Sequence, residues 1–146
     1  MDGVVVRLSA SEGDAAGLRA LRLEVFVDEQ GVPADEELDR YDAAAVHAVA
    51  VQSGGVVVGT GRLVLVSALE ARVGRMAVKA TVRRQGVGAA LLRFLEAEAK
   101  SRGIARIVLH AQAHARTFYD KHGYAAEGGP FTEAGIEHVS MAKTLR

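Results

Sequence analysis

Residues 82–89 read Val82-Arg83-Arg84-Gln85-Gly86-Val87-Gly88-Ala89 and lie between a strand-like run and a long amphipathic helix. That placement predicts a phosphate cradle. Glycines at 86 and 88 let the backbone come close to a ligand. The helix that follows points its free N–H groups at the same place, and its dipole adds partial positive charge. The stretch therefore predicts a phosphorylated cofactor and leaves open which one.

Working outward, the helix is marked by Gly88, Leu91, Leu92, Leu95 and Ala99, which recur at the spacing of one helical face. Arg93, Glu96 and Lys100 fall opposite, with Glu96 and Lys100 as a favourable i,i+4 pair. Gly103 predicts the stop. Val73 to Val78 reads as the strand before the loop, and Arg106 to Ala111 as the strand after the helix. Upstream, Val4 to Leu8 is a short strand, and Asp14 is read as the N-cap of a helix from Ala15 to Val27 that Gly31 and Pro33 end. The acidic stretch to Asp42 reads as loop or short helix. His47 to Gln52 and Val56 to Val66 are β-rich runs joined by Ser53-Gly54-Gly55, a hairpin signal. Downstream, Ala115 to His122 reads as a short helix stopped by Gly123, followed by strands near Tyr124 and at Glu137 to Thr144. Strands alternating with helices and a closing hairpin predict a three-layer α/β fold.

The 146 residues suit one domain, spanning 1–146, with a core that needs no cross-links. There are no cysteines, which excludes disulfides, thiolate metal sites and a Cys nucleophile. No apolar run approaches a membrane span, and Met1-Asp2-Gly3 does not open a signal peptide, so the reading is a cytoplasmic protein. The net charge of zero hides a segregation. Residues 71–95 hold Arg72, Arg75, Lys79, Arg83, Arg84 and Arg93 and no acid. Residues 24–42 hold Glu24, Asp28, Glu29, Asp35, Glu36, Glu37, Asp39 and Asp42 against Arg40 alone. Two such windows read as a basic segment around the glycines and an acidic one elsewhere. The acidic window would repel nucleic acid.

Two common cradles are excluded. No Gly-Lys-Ser/Thr occurs, so a P-loop would lack its phosphate lysine and its magnesium hydroxyl. Gly86-Val87-Gly88 is not followed by a third glycine opening the helix, and no acidic ribose partner sits about 20 residues on. What remains, Arg83-Arg84-Gln85-Gly86-Val87-Gly88, resembles the Gln/Arg-x-x-Gly-x-Gly/Ala signature of the GNAT superfamily of N-acetyltransferases. Arg22 to Gln30, Gly74-Arg75-Met76-Ala77-Val78, Ala111-Gln112-Ala113-His114, Phe118-Tyr119 through Gly123-Tyr124, and Gly135 to His138 occur in the order of the ElaA-type branch, over nearly the whole chain. The resemblance implies a three-layer α/β/α fold with a mixed, mostly antiparallel sheet of about seven strands, splayed at its centre.

It also implies acetyl-CoA as co-substrate, no metal, and transfer of acetyl to a primary amine of a small acceptor without a covalent enzyme intermediate. Cofactor contacts would come from Arg83, Arg84, Gln85, Gly86, Val87, Gly88 and Ala89, with Ala77 and Val78 offering backbone to the pantetheine arm. Tyr119 is the implied general acid, a phenol able to protonate a departing thiolate. Neighbours on a helix diverge by about 100°, so Phe118 is expected in the core and Tyr119 toward the cofactor. For the base, Glu29 and His114 stand first, with His110, His138 and His47 as further candidates. A metal site from His47, Asp39 and Asp42 matches no common ligand pattern. The acidic window suggests a cationic acceptor. The fold often forms homodimers, and no stretch here marks an interface. Two rival readings are a longer acyl donor, suggested by Arg22-x-x-Val-Phe, and a CoA-binding or sensor module without turnover.

Overall fold

The computed structural model describes residues 3–145; the reading of the N-terminus at Met1 and Asp2 lies outside them. The chain runs β1 (Val4–Leu8), α1 (Glu12–Arg22), a π-helical segment (Leu23–Glu29), α2 (Ala34–Glu37), β2 (Val46–Gln52), β3 (Val57–Leu65) and β4 (Glu70–Val78). It continues with α3 (Val87–Ser101), β5 (Arg106–Gln112), α4 (Arg116–Lys121), β6 (Ala125–Ala126), β7 (Phe131–Glu133) and β8 (Ile136–Thr144). The strands form one sheet in the order β1-β2-β3-β4-β5-β8-β6, with β7 also paired to β8. Only β4 and β5 run parallel. The eighth strand, beyond the expected seven or so, is β7, which folds back on the start of β8 through Ala134-Gly135. No helix among the described residues is long and apolar enough to cross a membrane.

The face of α3 read from the spacing is the one that packs: Leu91, Leu92, Leu95 and Ala99 are all 0% exposed. Two glycines of β3, unremarked in the sequence reading, let that helix approach. A Cβ at Gly59 would meet Val87 and Leu91 at 2.8 and 2.9 Å, and one at Gly61 would meet Met76 and Leu95 at 2.5 and 2.8 Å. The helix ends as expected at Gly103, whose φ of 79° lets Ile104 N–H reach back to the Ala99 carbonyl.

At α1 the expected cap moves. Ser11 is the N-cap, its hydroxyl accepting from the Asp14 amide. Asp14 sits three residues inside, accepting from Ala10 N–H and from Arg7, whose guanidinium holds its carboxyl down at about 2. Ser11 takes the Asp14 amide and Asp14 takes the Ala10 amide, so the acid at Asp14 marks the helix start without being its N-cap. The helix then widens into the π-helical segment rather than running to Val27 as α-helix, and Gly31, at φ 74°, turns the chain out of it. π-helical turns are rare and frequently mark functional sites.

Candidate active site

The two parallel strands part. Pairing between β4 and β5 runs from Glu70–Arg106 to Val73–Leu109 and stops, although β4 continues to Val78 and β5 to Gln112. On its other side β4 stays paired to β3, with an extra residue between Gly74 and Ala77. Arg75 sits in that bulge at φ 51°, in the left-handed region. Bulge and parting together splay the sheet. A cavity of about 1100 Å³ opens at the fork. Both arms line it, through residues such as Ala77, Val78, His110 and Gln112, and the π-helical segment, α2 and β7–β8 close the remaining walls.

Below Val78 the chain enters the glycine stretch. Gly86 caps α3 at φ 86°, and its carbonyl accepts from Ala90. None of the amides from Arg84 to Ala89 donates to an acceptor among the described residues. Arg84 joins Gly86 in the left-handed region at φ 65°, an unfavourable conformation for a residue with a Cβ. Gly88 lies where a Cβ would just touch Phe118 and Val78, at 3.7 and 3.8 Å. The cavity reaches the foot of this loop at Val78 and Arg83, and Arg84, Gln85 and Gly86 lie exposed beyond it.

The two arginines differ. Arg83 donates to the Val78 carbonyl at 2.9 Å and to Glu29 at 2.7 Å. Arg84 is exposed, with no acid partner among the described residues. Glu29, which ends the π-helical segment, is thus engaged at the cavity wall. One residue on, Gln30 accepts from the Gln112 amide at 2.8 Å, a strap across the fork that joins two of the sequence motifs.

Tyr119 lines the cavity and is 8% exposed, with no hydrogen-bond partner for its hydroxyl among the described residues. Burial pushes its phenol up to about 12, so it stays protonated and available as a donor. Its ring lies edge-on to Phe118 and Tyr124. The expected division of labour is therefore modified: Tyr119 is the buried one, and Phe118 is half-buried beside Gly88. His114 sits exposed on a 3-10 turn at the cavity, without a partner among the described residues. His110 and His138 also line the cavity, whereas His47 lies elsewhere, bonded to the Asp42 carbonyl.

The charge segregation seen along the sequence is largely undone by the fold: Arg75, Lys79 and Arg83 of the basic window meet acids of the other, and Arg22 and Arg62, from outside the basic window, hold more of them. Arg22, 1% exposed, pairs with Glu37 and Asp42. Arg62 holds Asp39 and Asp42, Arg75 holds Asp39, and Lys79 holds Glu24. Burial raises the Asp39 and Asp42 carboxyls, but the guanidiniums outweigh it and keep both below the usual range. One donor is unmet: Arg62 Nε is buried without a partner. Most of the acidic window is thus structural, and of its acids Asp35 and Glu36 remain exposed at the cavity without an ion partner among the described residues. Sequence reasoning missed this network. Its signals were an arginine on an apolar helix at Arg22 and a second within Gly74-Arg75.

Comparison with known proteins follows the same lines. A family model described as "Acetyltransferase (GNAT) domain" matches residues 10–145. The N-acetyltransferase YjcF of Bacillus subtilis is 39% identical over 124 residues, 84% of this chain and 87% of that one. A crystal structure from Lactobacillus plantarum superposes with a TM-score of 0.91 at 33% identity, covering 99% of this chain and 100% of the other. Escherichia coli ElaA superposes at 0.83 with 25% identity, over 96% and 99% of the two chains.

Proposed function

The chain belongs to the GNAT acetyltransferase family, and on that premise we propose that it is a single N-acetyltransferase domain that moves acetyl from acetyl-CoA directly to a primary amine of a small acceptor. The observation that carries the reading is the pairing of two features on one stretch of chain. The forked end of β4 leaves Ala77 and Val78 with no partner on β5, the Val78 carbonyl being held by Arg83, and the unpartnered amides from Arg84 to Ala89 follow it at the start of α3. A pantetheine arm needs main-chain partners in a slot, and a diphosphate needs a cluster of N–H donors at a helix start. The residues present fit both parts of the coenzyme. Bound acetyl-CoA supplies the activated thioester; the chain supplies position and protons.

In this reading the amine attacks the thioester carbon, the C–S bond breaks, and Tyr119 gives its proton to the departing thiolate. Its burial and unpartnered hydroxyl support that role. The acceptor enters over α2 and the π-helical segment. The free carboxylates of Asp35 and Glu36 support a cationic acceptor; Asp39 and Asp42, already held by arginines, do not. Calorimetry with CoA, followed by thiol release from acetyl-CoA across an amine panel, tests the assignment. Tyr119→Phe is expected to lower kcat by about 10²-fold or more while CoA affinity stays put. Unchanged turnover would remove Tyr119 as the acid, and no coenzyme association would remove the whole reading.

A further inference from the structure

Resting on that assignment, we propose that His138 is the base that takes the acceptor's proton, with the Glu133 carboxylate facing the imidazolium that forms. His138 is 7% exposed and lines the cavity. It stands opposite Gln112 in the β5–β8 register, three residues beyond the last pair of the fork, Val73–Leu109. Its Nδ1 lies 2.7 Å from the Ile136 carbonyl. A carbonyl only accepts, so Nδ1 carries the hydrogen, and in the neutral ring the lone pair falls to Nε2. That nitrogen makes no hydrogen bond among the described residues. It lies 4.0 Å from Glu133 Oε2, beyond hydrogen-bond reach, so the carboxylate faces the ring nitrogen that is free to take up a proton. The Phe131 ring stacks on His138 at 5.8 Å and fixes its plane.

The other candidates are placed less well. Glu29 already accepts from Arg83. His110 turns its Nδ1 to Glu133 at 3.1 Å. His114 is exposed with nothing to fix its tautomer. The groups beside His138 are Glu133 on β7 and, across Phe131, His110 on β5; the Glu29–Arg83 pair, Arg75, His114, Asp35 and Glu36 also line the cavity. Proton flow then balances. His138 Nε2 accepts a proton from the ammonium, the freed amine forms the C–N bond, and the positively charged amide nitrogen releases its second proton to water. The C–S bond breaks and the thiolate takes the Tyr119 proton. Solvent then returns the proton from His138 to Tyr119.

The test compares His138→Gln with the unaltered protein on two amines: spermidine, charged at neutral pH, and methoxyamine, already neutral there. Loss of a base is expected to cost about 10²-fold in kcat/KM for spermidine, to move the acid limb of its pH profile up toward the range in which the amine itself loses its proton, and to cost methoxyamine only a few-fold. Glu133→Gln should lower the spermidine rate by a smaller factor than His138→Gln and leave the methoxyamine rate nearly unchanged. CoA affinity by calorimetry should stay within about two-fold in both variants, which shows that they fold. Equal losses for the two amines, or an acid limb left at the parent's position in His138→Gln, would overturn the assignment. Turnover of neither amine by a protein that binds acetyl-CoA would overturn it together with direct transfer, whereas failure to bind CoA marks the parent reading as wrong instead.

Discussion

Along residues 84–89 the protein presents main-chain amides; across the cavity, residues 22–42 meet β3 and β4 through guanidinium and carboxylate groups. The first region owes its chemistry to backbone conformation, held by Gly86 at φ 86° and the start of α3. The second owes its shape to side chains that neutralise one another in the interior. The contrast teaches where each can be damaged. A backbone site should lose ligand before it loses stability, and a buried ionic network should lose stability first.

The largest effect is therefore expected at Arg22. Arg22→Met leaves the buried Glu37 carboxylate without its ion partner, and breaking such a pair costs about 3–5 kcal/mol. Denaturant unfolding would check it, and a midpoint close to that of the parent would show that the network contributes little. CoA affinity of the protein that remains folded should hardly change.

Acid should find this network and the start of α1. Asp14, Asp39 and Asp42 are all held below the ordinary carboxylate range in the folded state. A depressed folded value means that the stabilisation is complete above the unfolded value, about 3.9, and is lost as pH falls through the folded one. For Asp14 that window closes at about 2. Unfolding followed against pH should show stability flat near neutrality and falling below about 4. With Arg62 replaced by Met, the part of that fall due to Asp39 and Asp42 should shrink.

The same contrast explains what could be read without a structure. The loop was legible because glycine spacing and helix periodicity act within a few residues of each other, so Gly86, Gly88 and the Leu91–Leu95 face carry their own geometry. The α1 start was legible as a place and misassigned as a role, since Ser11 and Asp14 both satisfy the capping pattern. The arginine network was illegible. Its partners lie 15 residues apart at Arg22–Glu37 and 36 apart at Arg75–Asp39, and only the packing of α1 and α2 on the sheet brings them together. The same distance misled the charge argument: acids that look like one charged face along the chain are taken up in the fold by Arg22 and Arg62 and by Arg75, Lys79 and Arg83 of the basic window. His138 was visible as a residue, but its fixed tautomer depends on the Ile136 carbonyl and the β7–β8 hairpin.

At the loop the expected losses are smaller in stability and fall on the ligand. An added Cβ at Gly86 meets nothing within 4 Å, so Gly86→Ala isolates backbone strain from crowding. Holding alanine in the left-handed region costs about 1–2 kcal/mol. If the chain relaxes out of that conformation the amides from Arg84 to Ala89 disperse, and CoA affinity should fall by up to about tenfold for each 1.4 kcal/mol lost. Calorimetry and unfolding on one variant would separate the two readouts, and lost stability with intact affinity would mean that the amides are not the coenzyme's partners.

The finest distinction lies between Arg83 and Arg84. Arg84 is exposed and without an acid partner among the described residues, so Arg84→Ala should leave stability within about 0.5 kcal/mol. Its value would appear as a few-fold loss of CoA affinity that shrinks with added salt, because an exposed charge acting on a diphosphate is screened. Arg83 is tied to Glu29 and Val78 through Nη2 and Nε, which restrains how far its guanidinium can swing toward a phosphate. A loss at Arg83→Ala larger than at Arg84→Ala would mean that the Glu29 pair opens when the coenzyme binds, which would free Glu29 at the cavity wall beside the acceptor. A smaller loss would leave Glu29 paired throughout and the binding charge on Arg84.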